Sequence, residues 1–395
     1  MKKLLKMLTA SAFVFTALAA CGAEEQPSTD STNPGTDTEA PAETTELKIG
    51  MMTDSGTIDD KSFNQGTWEG LLLAETDLGI KPQYVQPGGE TAQDYINAND
   101  NLLLAGNEMV VAPGFKFEEA IGTLQAANPD TKYVLIDGSP MVGTDENNAP
   151  MYEVADNTVS IFFAEEQSGF AAGVAAALQS KTGKVAFIGG MNVPAVARFG
   201  AGYVAGVAYA NKTYGTTVEV TDFLYEGTFN TPANGQTLAG GMYDKGVDII
   251  FASAGGTGSG VIDEAKKRGE AGEEVFVIGV DVDQYDQGIL SNGKSIILTS
   301  AMKKLSNAAF TVIEQFQNGE FPGGETVTYD ASNDSVGLPT ENPNLTEDTV
   351  AKTDEAFAAI KDGSIVVPSD AATLEAYLTE VGYANVDIVT NVFPK

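Results

Sequence analysis

The chain of 395 residues contains no histidine. The side chain that most often serves as general base near neutral pH, and as a metal ligand, is therefore missing, which argues against hydrolytic or metal-centred chemistry. There is one cysteine, Cys21, so neither an internal disulfide nor a thiolate metal cluster can form. Positive charge is scarce. Lys and Arg together number 22 against 55 Asp and Glu, a formal net charge of -33. Such a surface repels phosphodiester backbones and anionic lipid, so nucleic acid is not an expected partner. Neither a metal nor a cofactor is expected.

What is present begins with a targeting pattern. Lys2, Lys3 and Lys6 form a positive end, and Met7 to Ala20 is apolar but too short for a stop-transfer span. It closes on Leu18-Ala19-Ala20-Cys21-Gly22, which resembles the lipobox of bacterial lipoproteins. Residues 1–20 read as a signal peptide, with lipidation at Cys21. Residues 21–46 hold Thr, Pro, Ser, Glu and Asp and almost no apolar residue larger than Ala. They read as a disordered linker, since they cannot bury enough surface to fold.

From Leu47 onward, short apolar runs alternate with helical patterns. The runs are 47–52, 83–86, 109–112, 133–137, 158–163, 184–189, 218–224, 248–252, 275–280 and 295–298. Strand–helix alternation predicts an α/β protein with doubly wound parallel sheets. Two sets of about five strands predict two lobes. The small-residue stretch Gly169–Leu178 marks the start of the second. The helix pattern at 306–317 is expected to return to the first, and 369–395 is a tail without an assigned role.

One stretch organises the rest: Thr53-Asp54-Ser-Gly-Thr-Ile-Asp59-Asp60-Lys-Ser62-Phe63-Asn64. It follows an apolar strand and enters a helix, with acids and Ser62 at the helix start. Residues so placed stand at the carboxyl edge of a sheet, where open α/β folds hold ligands. Phe63, a large aromatic in the first turn, is expected to face a ligand. Asp281 and Asp137 also end strand-like runs. The run Gly255-Gly-Thr-Gly-Ser-Gly260 lacks the Gly-Lys-Ser/Thr ending of a P-loop. It reads as a turn that lets backbone approach a ligand closely. Phe199 is a further cleft candidate.

The stretch 53–64 resembles the signature of the basic-membrane-protein family of lipoproteins, the nucleoside-binding subunits of ABC importers. Further matches are Ala254-Gly-Gly-Thr-Gly258, Val277-Ile-Gly-Val-Asp281-Val-Asp-Gln-Tyr285, Leu298-Thr-Ser-Ala-Met-Lys303, Phe321-Pro-Gly-Gly324 and Val336-Gly-Leu-Pro339. The resemblance implies a type I periplasmic-binding architecture, two lobes joined by a multi-crossing hinge with ligand between them. The expected division is 47–162 plus 284–320 for lobe 1, and 163–283 plus 321–395 for lobe 2. It implies that Phe63 and Phe229 sandwich a base and that Asp54 and Asn64 meet the base or its surroundings. Asp281 would take ribose hydroxyls, and Lys303 would lie near other sugar oxygens. A carboxylate can accept from two vicinal hydroxyls, and a lysine only donates. The expected partners are a nucleoside, probed first among purines, and a membrane permease. The chain is expected to be a monomer held by lipid on the extracytoplasmic face of the cell membrane.

Two other classes fit less well. Nucleoside hydrolases carry an Asp-x-Asp-x-x-x-Asp-Asp cluster for calcium. Here Met52 replaces the first Asp, and an extra residue separates Asp54 from Asp59. A ligand-blind adhesin or regulator on the same scaffold would have no need of the aromatic and carboxylate set.

Overall fold

A computed structural model describes residues 46–395. The expected signal peptide, Cys21 and nearly all of the linker lie outside the described residues. The chain opens with β1 (Lys48–Met52), α1 (Phe63–Leu78), β2 (Lys81–Val85), α2 (Ala92–Leu104), β3 (Met109–Pro113), α3 (Glu118–Ala127) and β4 (Lys132–Ile136). A hairpin, β5 (Met141–Thr144) and β6 (Pro150–Tyr152), precedes β7 (Thr158–Phe163). Next come α4 (Glu165–Gln179), β8 (Lys184–Gly189), α5 (Pro194–Tyr214), β9 (Glu219–Tyr225) and α6 (Pro232–Asp244). They lead into β10 (Ile249–Ser253), α7 (Gly255–Glu270), β11 (Phe276–Asp281), β12 (Ile297–Lys303) and α8 (Leu305–Gln317). The chain ends through β13 (Thr326–Tyr329), β14 (Val336–Gly337), α9 (Glu347–Lys361), α10 (Ala371–Val381) and α11 (Val389–Val392).

The strands form two six-stranded sheets, β13-β7-β4-β3-β1-β2 and β14-β12-β11-β10-β8-β9. All pairings within them are parallel except β12 with β14. The α/β, doubly wound expectation is therefore met. Central strands such as β3 and β10 are buried along their whole length, which parallel sheets covered on both faces require. The edge strand β2 carries Pro82 and the half-exposed Tyr84, as an edge tolerates. Each sheet reverses its strand order beside its first strand, at β1 between β2 and β3 and at β8 between β9 and β10. Ligands of such sheets sit outside the carboxyl ends at these switch points.

The chain passes between the sheets three times: from β7 to α4, from β12 to α8, and from β13 to β14. The α8 helix packs on α1, and α4 packs on α5. The boundaries differ from the sequence expectation at two places. Residues 297–303, expected in lobe 1, form β12 and pair with β11, so that Asp281 stands beside Met302. Residues 326–329, expected in lobe 2, form β13 and pair with β7. The apolar run at 295–298 is cut short in sequence by Thr299 and Ser300. Both are buried and bonded, Thr299 donating to Asn342 Oδ1 at 2.6 Å and Ser300 Oγ accepting from Gln284 N at 3.1 Å. A strand with satisfied hydroxyls continues where hydropathy alone would end it.

Glycine lets α4 and α5 touch. A Cβ on Gly173 would lie 2.2 Å from Tyr203 O, and one on Gly202 would lie 2.0 Å from Glu166 O. The carboxyl-terminal residues have a structural role that the sequence left open. The Tyr383 hydroxyl accepts from Val220 N at 2.9 Å, and the Tyr225 hydroxyl donates to Val392 O at 2.6 Å. Edge strand β9 is thereby covered.

Candidate ligand-binding cleft

The carboxyl ends of the two sheets enclose a cavity of about 510 Å³. It is of the size that holds small molecules. Asp54, Phe63, Asn64 and Asp137 reach it from the first sheet's side. Phe199, Phe229, Gly255, Asp281 and Lys303 reach it from the second. All nine residues singled out in the sequence therefore line one space. Phe115, at the β3 switch-point strand, lines it as well.

On the first side, the loop from β1 to α1 is held by its own carboxylates. Asp60 accepts from the backbone N–H groups of Ser62, Asn64 and Gln65 at 2.9, 3.0 and 3.1 Å. It thus satisfies the opening of α1, a position that favours negative charge. Asn64 donates its amide to Asp54 Oδ1 and to Asp60 Oδ2, each at 2.8 Å, and accepts from Asp54 N at 3.1 Å. Both amide hydrogens are spent, so the residue's clearest role is to orient Asp54. Asp54 Oδ2 makes no hydrogen bond among the described residues and remains an acceptor. Burial pushes the Asp54 carboxyl above its ordinary range, against the pull of Asn64.

Ser62 departs from expectation. It precedes α1 but makes no side-chain cap bond. Its hydroxyl donates instead to Asp281 Oδ2 at 2.5 Å, across the cleft. Gln284 makes a second crossing contact, donating to Lys61 O at 2.8 Å. No sequence signal points to Ser62 as a cleft residue, because the helix-start pattern accounts for it fully.

On the second side, Phe229 follows β9 and Gly255 opens α7. Gly255 has φ 53°, and Phe229 O accepts from Thr257 N at 3.1 Å. A Cβ on Gly190 would lie 2.3 Å from the Phe229 ring. Backbone thus fills the space behind the ring and fixes it at the cleft wall.

Lys303 is 2% exposed and meets two acids. Its ammonium contacts Asp137 Oδ2 and lies 3.3 Å from Glu165 Oε1. It also stands 4.6 Å from the Phe63 ring centre, within cation–π reach. Burial disfavours its charge, but Asp137, Glu165 and Asp281 outweigh that and hold the lysine above its usual range. Arg198, on α5, donates to Glu165 Oε2 at 2.6 Å. Burial pushes Asp137 up to about 6, with Lys303 pulling back. Asp281 is raised by burial too, against Lys303 and Ser62. Both aspartates adopt left-handed backbone, φ 57° and 66°, which Asp tolerates better than most residues.

Arg198, Glu118 and Tyr152 also line the cavity. Glu165 lies behind it. Sequence reasoning did not find these, since a lone charge on a helix or hairpin carries no motif. Among the described residues, no three or more carboxylates or thiols gather as a metal site.

Two doubly wound lobes, crossed three times and closed on a polar and aromatic cleft, define a two-lobed solute-binding protein. The chain matches, over residues 47–371, the family described as Bmp, ABC transporter substrate-binding protein PnrA-like, and it belongs to that family. These are binding proteins of transporters and not enzymes. A Lactococcus lactis protein called ABC transporter nucleoside-binding protein BmpA is 35% identical, covering 82% of this chain and 90% of its own. A Listeria innocua protein called CD4+ T-cell-stimulating antigen is 34% identical, covering 92% and 97%. Among solved structures, an ABC transporter solute-binding protein of Aeropyrum pernix K1 superposes with a TM-score of 0.70. It is 26% identical and covers 86% of this chain and 99% of its own.

Proposed function

We propose that this substrate-binding protein captures nucleosides, purine nucleosides foremost, and delivers them to a membrane permease. The observation that carries the reading is the pairing of Phe63 and Phe229 on opposite sides of one cavity that also holds Asp281. Two phenyl faces suit a flat heterocycle, and a fused purine offers the larger π surface. A buried carboxylate with one oxygen unspent suits vicinal ribose hydroxyls. The name of the lactococcal relative supports the same ligand class. The ligand touches both lobes, so it favours their closed arrangement, and the three crossings between the sheets are the hinge. No covalent bond changes.

Lipid on Cys21 would hold the protein on the extracytoplasmic face, as a monomer on a solvated tether. Among the described residues, no helix is long and apolar enough to cross a membrane.

A melting-temperature screen of the full-length chain against nucleosides, free bases, sugars and amino acids tests the reading. A ligand present at 100 times its Kd adds about 2.7 kcal/mol to stability. Inosine, guanosine or adenosine should raise the melting temperature, and Phe63→Ala should abolish the rise. A response to sugars or amino acids alone would overturn the assignment.

A further inference from the structure

Glu165 is fully buried but does not line the cavity. It opens α4, two residues after Phe163 ends β7, and so stands at the first crossing between the sheets. Ala164, between them, donates its N–H to Tyr329 O at 2.9 Å. That bond joins the first crossing to the strand leading into the third. Within the third crossing, Ala331 N donates to Gln167 Oε1 at 2.7 Å. Lys303 ends β12, at the second crossing. The chemistry of the cleft floor and the hinge therefore meet at one place.

The Glu165 carboxylate divides its oxygens between two cations. Oε1 accepts from Lys303 Nζ at 3.3 Å, and Oε2 accepts from Arg198 Nε at 2.6 Å. Both cations line the cavity. Lys303 also contacts Asp137 of the first lobe. Asp137 alone would draw the ammonium toward the first sheet. Glu165, two residues beyond the neighbouring strand β7, supplies a second acid to the same ammonium, which stands 4.6 Å from the Phe63 ring centre. A buried acid that bridges two cations and has no face on the cavity acts on a ligand through them.

We propose that Glu165 is a positioning residue: it sets Lys303 and Arg198 at the cleft floor and ties ligand contact to the hinge. The proposal uses the nucleoside reading only to choose the probe. Calorimetry with inosine on the full-length chain compares wild type, Glu165→Gln, Lys303→Met and the double variant. Glu165→Gln should weaken binding by at least tenfold. The double variant should bind more tightly than the product of the two single losses predicts, because the share of the Glu165 effect that runs through Lys303 is counted once and only the share through Arg198 remains. A merely structural role would make the losses multiply, and that result, or unchanged affinity in Glu165→Gln, overturns the proposal. Should Glu165→Gln fail to fold, Glu165→Asp keeps the charge, shortens its reach and carries the same cycle. A second readout needs no ligand. In protein carrying 15N-lysine, the Lys303 ammonium should show slow proton exchange in wild type and lose it in Glu165→Gln. If wild type binds no nucleoside, the nucleoside reading falls and this signal alone decides. An unchanged signal then overturns the proposal.

Discussion

Asp137 and Asp281 hold equivalent places in the two sheets. Each stands at the carboxyl end of the third strand in the sheet order, β4 in one and β11 in the other. Each has left-handed backbone and turns toward the same cavity. Their partners differ. Asp137 meets the Lys303 ammonium from the opposite sheet, while Asp281 meets the neutral Ser62 hydroxyl from the opposite lobe. One acid spends an oxygen on a cation across the cleft, and the other spends one on a hydroxyl. Two copies of one backbone device thus bridge the cleft with different partners, a division that the proposed ligand would read as one acid fastening the lobes and one gripping it.

Removing each acid in turn tests that division, and the largest effect is expected at Asp281. Asp281→Ala removes the carboxylate that the proposed function assigns to the ribose hydroxyls. It should weaken nucleoside binding on the order of 100-fold, about 2.7 kcal/mol, within the range for hydrogen bonds to charged groups. Asp137→Ala leaves Lys303 paired with Glu165 and should cost about tenfold or less. Calorimetry on both variants is the check. The reverse order would mean that Asp137 grips the ligand and Asp281 fastens the lobes.

Much of this layout was legible in the sequence, for reasons that differ by element. Fully buried parallel strands such as β3 and β10 stand out because both faces are apolar. The nine residues singled out for the cleft came from strand ends, glycine turns and family motifs, all of them local features in sequence. What escaped was set by tertiary context. β12 runs on through Thr299 and Ser300 because distant residues satisfy their hydroxyls. β13 and β14 are short, and nothing in their sequence says which sheet they join. Ser62 reads as a helix start, yet Asp60 does that work and frees the hydroxyl to reach Asp281. Glu165 is invisible from sequence because its importance lies in two cations that arrive from α5 and β12.

A third buried acid sharpens the comparison. Glu166 has Oε2 buried without a hydrogen bond, and its nearest cation is Arg198 Nε at 3.9 Å. Burial pushes it up to about 7 from an ordinary 4.5, with Arg198 opposing weakly. The folded state therefore holds this proton longer than the unfolded chain. The stability it contributes is present below pH 4.5 and lost as pH rises through 7. Between pH 5 and 8 this amounts to about 2 kcal/mol. Chemical denaturation across that range should show stability falling as pH rises, and Glu166→Gln should flatten the fall. An identical slope in the variant would assign the dependence to other carboxyls that burial raises, Asp54, Asp137 and Asp281 among them.

The smallest expected effect lies at Ser62, where it separates helix capping from cleft function. Ser62→Ala removes the donor to Asp281 Oδ2 but leaves the Asp60 bonds to the α1 opening in place. Loss of one such hydrogen bond costs about 0.5–1.5 kcal/mol. That loss should appear in ligand affinity, as a weakening of about two- to tenfold, because the bond aligns the carboxylate and spans the cleft. The melting temperature of the unliganded protein should barely move, since Asp60 still caps the helix. Asp60→Ala should do the opposite, lowering the melting temperature by loss of the cap. If Ser62→Ala lowered thermal stability and left affinity untouched, Ser62 would serve the helix after all. The cross-cleft bond to Asp281 would then carry no part of the ligand grip.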